Sequence, residues 1–218
     1  MFVKTRMTSN PYTVTPDTTV PEALEIMVDK SVRHLPVMHD GKLVGVISRG
    51  DIAAAGPSSV TSFSVGELTY LMNKLKVGQV MSRHLITTTP DALLEQAAVL
   101  MRDHGVEMLP VMDGDRLVGV ITESTIVDAF VELLGFRDPG TRLAVEAPDA
   151  PGMLSLLAGI TAKYGANISH LAIYRGDGDH STIVFGMNSQ DTSRIEQELV
   201  DHGFRILARL RNPQQDAG

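Results

Sequence analysis

The sequence predicts a mixed fold, α+β with α/β character: two βαββα units in tandem, then one βαββαβ unit. Three observations lead there. First, one passage is written twice, 74 residues apart. Arg33-His34-Leu35-Pro36-Val37-Met38 with Gly41-Lys42-Leu43-Val44-Gly45-Val46-Ile47-Ser48 returns as Glu107-Met108-Leu109-Pro110-Val111-Met112 with Asp115-Arg116-Leu117-Val118-Gly119-Val120-Ile121-Thr122. Met7 and Met81 keep the same offset. A repeat of this length sets the architecture, because two like units placed face to face leave two related clefts between them. Second, inside each copy the apolar residues switch between helical and extended spacing. Third, near Phe136-Arg137-Asp138-Pro139-Gly140 the repeat stops and a βαββαβ order begins.

Each copy reads in the same order. A short strand comes first (Tyr12-Thr13-Val14; Leu85-Ile86-Thr87), then a proline turn (Thr15-Pro16-Asp17; Thr89-Pro90-Asp91). A helix follows, with Val20, Ala23, Leu24, Met27 and Val28 at helical spacing in one copy and Leu93, Leu94, Ala97, Leu100 and Met101 in the other. Thr18 or Thr19 is the expected cap of the first helix, with Pro21 in its first turn, and Asp91 the expected cap of the second. Two apolar strands flank a turn, at Asp40-Gly41 in the first copy and Asp113-Gly114 in the second. A helix closes each unit, from about Asp51 and about Ser124. Between the copies, Ala54 to Ser59 reads as a loop. Ser64 and Glu67 then have capping-box spacing ahead of a linker helix over about 64–75 carrying Val65, Leu68, Met72 and Leu75. The copies are expected over about 1–60 and 76–134.

The last region is expected over 141–211, with a loose tail at 212–218. Its predicted elements are a strand at Leu143-Ala144-Val145, a helix from about Met153 to Tyr164, and strands from Ile168 to Tyr174 and from Thr182 to Phe185. A helix over about Thr192 to His202 and a strand from Phe204 to Leu210 complete the order.

Composition bounds the function. The 218 residues are long enough for a sizeable core without staples, at 43% hydrophobic and 21% charged. The absence of cysteine removes disulfide and thiolate chemistry, and with no visible signal peptide it points to the cytoplasm. No run approaches the ~18 apolar residues of a membrane span. A net charge of -7 argues against a nucleic-acid partner. Seven scattered histidines without HxxxH or HxH spacing predict no metal site. No Gly-x-Ser-x-Gly elbow, Walker A loop or HExxH helix is present, so no catalytic residues are expected.

With these motifs in view, residues 1 to about 134 resemble a tandem pair of cystathionine-β-synthase (CBS) motifs. Residues from about 141 to 210 resemble an ACT domain, the small regulatory fold of amino-acid metabolism. The combination resembles the acetoin-utilisation B family. The resemblance implies a purine nucleotide in a cleft between the two CBS motifs, held by the signature Gly-x-x-Ser/Thr-x-x-Asp. The first copy matches it in full at Gly45-Val46-Ile47-Ser48-Arg49-Gly50-Asp51. Asp51, at a helix start, suits a pair of ribose hydroxyls, and Ser48 with the helix N-terminus suits phosphate. Arg33 and His34 stand where the family's basic residues reach phosphate. By the family's crossed arrangement, Thr89 of the second copy is expected to complete this cleft. AMP, ADP or ATP is the expected regulatory ligand.

The second copy departs from the signature. Gly119 and Thr122 are kept, but Thr125 stands at the aspartate position, and Glu107 and Met108 replace the basic pair. A hydroxyl for a carboxylate loses a charge-assisted bond of about 1.5–3 kcal/mol. The second cleft, completed by Thr15, is therefore expected to be degenerate for phosphorylated ligands, although S-adenosylmethionine would tolerate Glu107. In the ACT-like region, Asp149, Pro151 and Gly152 match the family's ligand loop and Asn167 the asparagine that grips an amino acid across a dimer interface. Ala147 stands where serine-binding members carry histidine. The implied protein is a non-catalytic regulator, a homodimer with an unknown protein partner. Alternatives are a constitutive scaffold with vestigial clefts and, less favoured, an enzyme of acetoin metabolism. Phe136 to Thr141 is the expected hinge.

Overall fold

The computed structural model describes residues 1–56, 73–176 and 178–212. They form two compact units, Met1–Val127 and Asp128–Gly218, so the division falls earlier in the chain than the end of the repeat suggests. Residues 64–72 of the expected linker helix, with Ser64, Glu67 and their apolar neighbours, lie outside the described residues, as do Asp177 and residues 213–218.

The chain opens with a 3-10 turn, Val3–Thr5, and a two-residue strand, β1 (Thr8–Ser9). Neither packs on its own copy. Val3 and Lys4 donate their N–H groups to the carbonyls of Ala92 and Pro90, and β1 pairs with a strand of the second copy, Thr8 opposite Val120. Helix α1 (Val20–Asp29) follows. Thr19 and Glu22 form its capping box, Glu22 Oε2 accepting from the Thr19 N–H at 2.8 Å, with Pro21 in the first turn. Val20, Ala23 and Met27 are buried, whereas Leu24 and Val28 on the same expected stripe are exposed. Strands β2 (His34–His39) and β3 (Lys42–Ser48) pair antiparallel around Asp40 and Gly41, both at positive φ. Helix α2 (Arg49–Ala55) closes the copy.

The second copy repeats this plan. A short helix, α3 (Val77–Val80), precedes α4 (Leu94–His104), β4 (Met108–Asp113), β5 (Arg116–Thr122) and α5 (Glu123–Leu133). Three expectations are corrected. Asp91 does not cap α4: the helix begins at Leu93, whose N–H goes to Gln96 Oε1, and Asp91 instead binds Lys4 at 2.6 Å. The second hairpin turns one residue later, at Gly114-Asp115, because Asp113 pairs with Arg116. The leading strand of each copy shrinks to a single bridge, Val14 to Val37 and Thr88 to Val111. The prolines at 11, 16 and 90 crowd these segments and prevent a longer ladder.

The copies are interlocked. Val77 and Met81 sit in the core of the first copy with Val14, Leu35, Val37, Ile47 and Ile52. Their counterparts 74 residues earlier, Val3 and Met7, stand against the second copy: Val3 is fully buried, and Met7 Sδ covers Gly119 as Met81 Sδ covers Gly45. Ser82 bridges Val46 as β1 bridges β5. Copy boundaries at about 60 and 76 therefore follow the sequence but not the packing.

In the second unit, β6 (Gly140–Pro148), α6 (Met153–Lys163), β7 (Ile168–Arg175), β8 (His180–Met187), α7 (Ser193–Asp201) and β9 (Arg205–Asn212) realise the βαββαβ order. The sheet is antiparallel in the order β7-β8-β6-β9. Alternate residues Leu143, Val145 and Ala147 of β6 and Ile183, Phe185 and Met187 of β8 meet Leu157, Ile160, Ile195 and Leu199 of the helices. Glu198 of α7 ties the helices together, binding Lys163 Nζ at 2.7 Å and the Tyr164 hydroxyl at 2.6 Å. Asn212, expected in the tail, ends β9.

The segment expected to act as a hinge is held down. The Arg142 guanidinium donates to the Leu134 carbonyl, Asn212 Nδ2 donates to those of Phe136 and Asp138, and the Asp138 carboxylate lies 3.4 Å from His170 Nδ1. Gly140 and Thr141 are already part of β6. With the Phe136 and Asp138 carbonyls bonded and Gly140 and Thr141 in β6, the expected hinge is tied to the second unit.

Candidate functional site

The strongest candidate is a cleft of about 420 Å³ between the two copies. The first copy supplies Arg33 and His34, where β2 begins, and Ser48 to Asp51, where β3 passes into α2. Ser48 caps α2, accepting from the Asp51 N–H at 3.0 Å. Asp51 returns both bonds through one oxygen: Oδ2 accepts from the Ser48 N–H at 2.8 Å and from its hydroxyl at 2.7 Å. The carboxylate is thus both a cap and, through Oδ1, a ready acceptor at a helix N-terminus, where the backbone dipole supports negative charge. The two readings of Asp51, cap and ligand contact, are compatible because a carboxylate has two oxygens. Arg49 is committed elsewhere, its guanidinium donating to the Met27 carbonyl at 3.1 Å.

The second copy supplies Ser82, His84, Ile86 and the segment Gly105 to Met108. Glu107 and Met108, expected in the other cleft, therefore line this one. Glu107 Oε2 lies 3.8 Å from His34 Nε2, with the His34 side chain 16% and that of Glu107 63% exposed. Burial holds the His34 pKa below the ordinary histidine range, Arg33 reinforces that shift, and Glu107 and Asp51 oppose it.

Thr89 is not among the residues lining this cleft. Its neighbour Thr88 bonds the backbone of Pro110 and Met112, two and four residues along β4 from Met108, roughly 7–13 Å along a strand. Thr15 occupies the equivalent place in the first copy, where its N–H and hydroxyl engage the Thr18 hydroxyl. The crossing is made earlier in each copy, by Met81 and Ser82 on β3, which carries His84 and Ile86 into the cleft. No motif in the sequence marks Ser82, His84 and Ile86 as cleft residues. The signal available was the equal offset of Met7–Met81 and Gly45–Gly119, since a glycine under a methionine marks a close approach. At the second copy's helix start, the Thr125 hydroxyl meets that of Thr122 at 2.9 Å, which keeps a cap without a charge.

The second unit carries another cleft, of about 410 Å³, at the β6–α6 loop. Asp149, Pro151 and Gly152 line it as expected, with Gly152 at φ 93 as the N-cap of α6. Arg175 Nε stands 3.2 Å from Asp149 Oδ2, and the buried Ser181 hydroxyl has no hydrogen-bond partner among the described residues. Asn167 is not there. It precedes β7, whose far end carries Arg175, and exchanges bonds with Asn188. Among the described residues, no group of three His, Cys, Asp or Glu side chains is arranged to hold a metal, and no helix is long and apolar enough to cross a membrane.

Comparison with known proteins places this arrangement. The CBS domain pair of protein MJ0100, solved with 5-methylthioadenosine and S-adenosylmethionine, superposes with a TM-score of 0.51 at 28% identity, over 61% of this chain and 97% of that one. A Vibrio cholerae protein assigned to acetoin utilization (AcuB) superposes with a TM-score of 0.52 at 29% identity, over 63% of this chain and 96% of that one. The CBS domain-containing protein YhcV of Bacillus subtilis is 32% identical over 55% of this chain and 78% of its own length. A homoserine O-acetyltransferase of Methanococcus vannielii is 31% identical over 58% of this chain, but the match spans only 24% of that enzyme. The sequence pattern of the CBS domain matches residues 3–58 and 77–132, about half of the chain. Two interlocked copies, each with the β-strand pair and capped closing helix, belong to that pattern: the chain is a member of the CBS-domain family.

Proposed function

We propose that the chain is a non-catalytic regulatory protein of the cytoplasm whose cleft at Asp51 senses an adenosine-containing ligand. One observation carries this reading: Asp51, bonded to Ser48 through Oδ2 at the start of α2, lines a cleft together with Ser48, Arg33 and His34. The cleft has the size of a small-molecule site, and the adenosine ligands of the MJ0100 CBS pair support the ligand class. Binding would regulate by favouring one conformation of the protein over another.

The second unit is read as an ACT domain. Its sheet order and its loop at Asp149 to Gly152 support that, and an amino acid is the ligand such a loop suits. Asn167 lies at the other end of the sheet from Asp149, so both could hold one ligand only in a homodimer that brings a partner's β7 alongside. The scaffold reading draws on a different observation, the uncharged Thr122–Thr125 cap of the second copy.

Titration calorimetry of the full chain with AMP, ADP, ATP, 5-methylthioadenosine and S-adenosylmethionine tests the sensor. One site per chain, weakened 10- to 100-fold by Asp51→Asn, is expected from loss of one charge-assisted bond. A well-folded protein that binds none of them would favour the scaffold.

A further inference from the structure

We infer that Glu107 sets the charge class of the ligand: the Asp51 cleft takes an adenosine derivative with at most one phosphate, or with a cationic group, and rejects di- and triphosphates. The inference rests on the nucleotide reading above and adds to it a specificity residue contributed by the other copy.

The argument is one of charge placed in a shared space. Arg33 and Glu107 occupy corresponding positions of the repeat, yet the interlocking of the copies brings both to one cleft. The Glu107 side chain is exposed and presents a carboxylate to the cleft, 3.8 Å from His34 Nε2. Of the cations at the cleft, Arg49 is bonded to the Met27 carbonyl. Burial favours the neutral form of His34. Arg33 and Arg49 are matched in number by Asp51 and Glu107, and His34 and His84 are the other basic side chains on the lining. A monophosphate can be met by the Arg33 guanidinium and the Gly50 N–H, since the Arg49 N–H is bonded to the Arg33 carbonyl and the Asp51 N–H to Ser48 Oγ. Every further phosphate adds negative charge near Glu107. At about 6 Å and an effective dielectric of about 40, each added charge weakens binding roughly tenfold. A sulfonium would instead be drawn to the same carboxylate.

Equilibrium binding of AMP, ATP and 5-methylthioadenosine to the full chain and to Glu107→Gln decides the matter. The wild type is expected to bind AMP at least tenfold more tightly than ATP. Glu107→Gln should strengthen ATP roughly tenfold or more while leaving uncharged 5-methylthioadenosine within about twofold. Glu107 is exposed, so the variant should melt as the wild type does, and Glu107→Lys provides a second variant that should favour ATP further. If AMP binds but the AMP-to-ATP ratio is the same in all three proteins, the charge selection is wrong and the nucleotide reading stands. If no adenosine ligand binds any of them, both are overturned.

Discussion

Asp51 joins a role in the fold to the ligand role proposed for it. Its Oδ2 completes the capping box of α2, and the side chain also lines the cleft. Two substitutions separate these roles. Asp51→Ala removes the cap partner of the Ser48 N–H and should cost about 1 kcal/mol, seen as a lower melting temperature. Asp51→Asn keeps an acceptor for the cap and should melt close to wild type while losing ligand affinity. His34 adds a pH dependence. Its pKa is lowered in the folded chain, chiefly by burial, so the unfolded chain binds the proton more readily. Stability from His34 is therefore present above the unfolded histidine pKa and is lost as pH falls through it. A phosphate ligand has the opposite preference and favours protonated His34. AMP affinity should therefore rise as pH falls through and below the ordinary histidine value of about 6.5, and His34→Gln should flatten that slope in a titration series. The pairing of Ser48 with Asp51 was legible in the sequence because three residues of helix fix its geometry. The nearness of His34 to Glu107 was not, because nothing local joins positions 73 residues apart.

At the scale of elements, the two copies stand or fall together. A Cβ on Gly45 would lie 2.5 Å from Met81 Sδ and 3.0 Å from the Ser82 carbonyl oxygen, and one on Gly119 would lie 2.7 Å from Met7 Sδ and 3.0 Å from the Thr8 carbonyl oxygen. The methionine can move aside, but the backbone carbonyl is fixed in a bridge. Gly45→Ala and Gly119→Ala should each cost about 1–3 kcal/mol by overpacking. Met81→Ala, which empties a place in the first copy's core, should cost about 2–5 kcal/mol. Chemical denaturation of the variants measures all three, and a neutral result at both glycines would contradict the interlock. Helix and hairpin positions were readable from periodicity, since burial of one face imposes a 3.6- or 2-residue pattern. The leading strands were misread, because Tyr12 to Val14 has strand composition but makes only one bridge. Likewise Asp91 has the chemistry of a cap, yet Lys4 from the chain's beginning takes its carboxylate.

At the scale of the whole molecule, the segment after α5 belongs to the second unit. The Gly135 and Phe136 amides donate to the Glu132 and Val131 carbonyls of α5 and the Asp138 amide to the Gly135 carbonyl, while Arg142 holds the Leu134 carbonyl and Asn212 those of Phe136 and Asp138. These amides should exchange slowly with solvent, and Asn212→Ala should speed their exchange relative to those of β6. Equal rates in variant and wild type would mean that the clamp does not restrain the segment. The sequence by itself determined that two copies of one unit precede a βαββαβ unit. It also determined that only the first copy carries the complete Ser48–Asp51 signature. Both are properties of order and short-range spacing, which chemistry along the chain dictates. Tertiary structure alone decided that the copies exchange their leading segments, that Glu107 faces His34, and that Thr89 stands apart from the cleft. Those depend on which surfaces bury each other, and long-range burial is chosen by the fit of whole faces rather than by any local pattern.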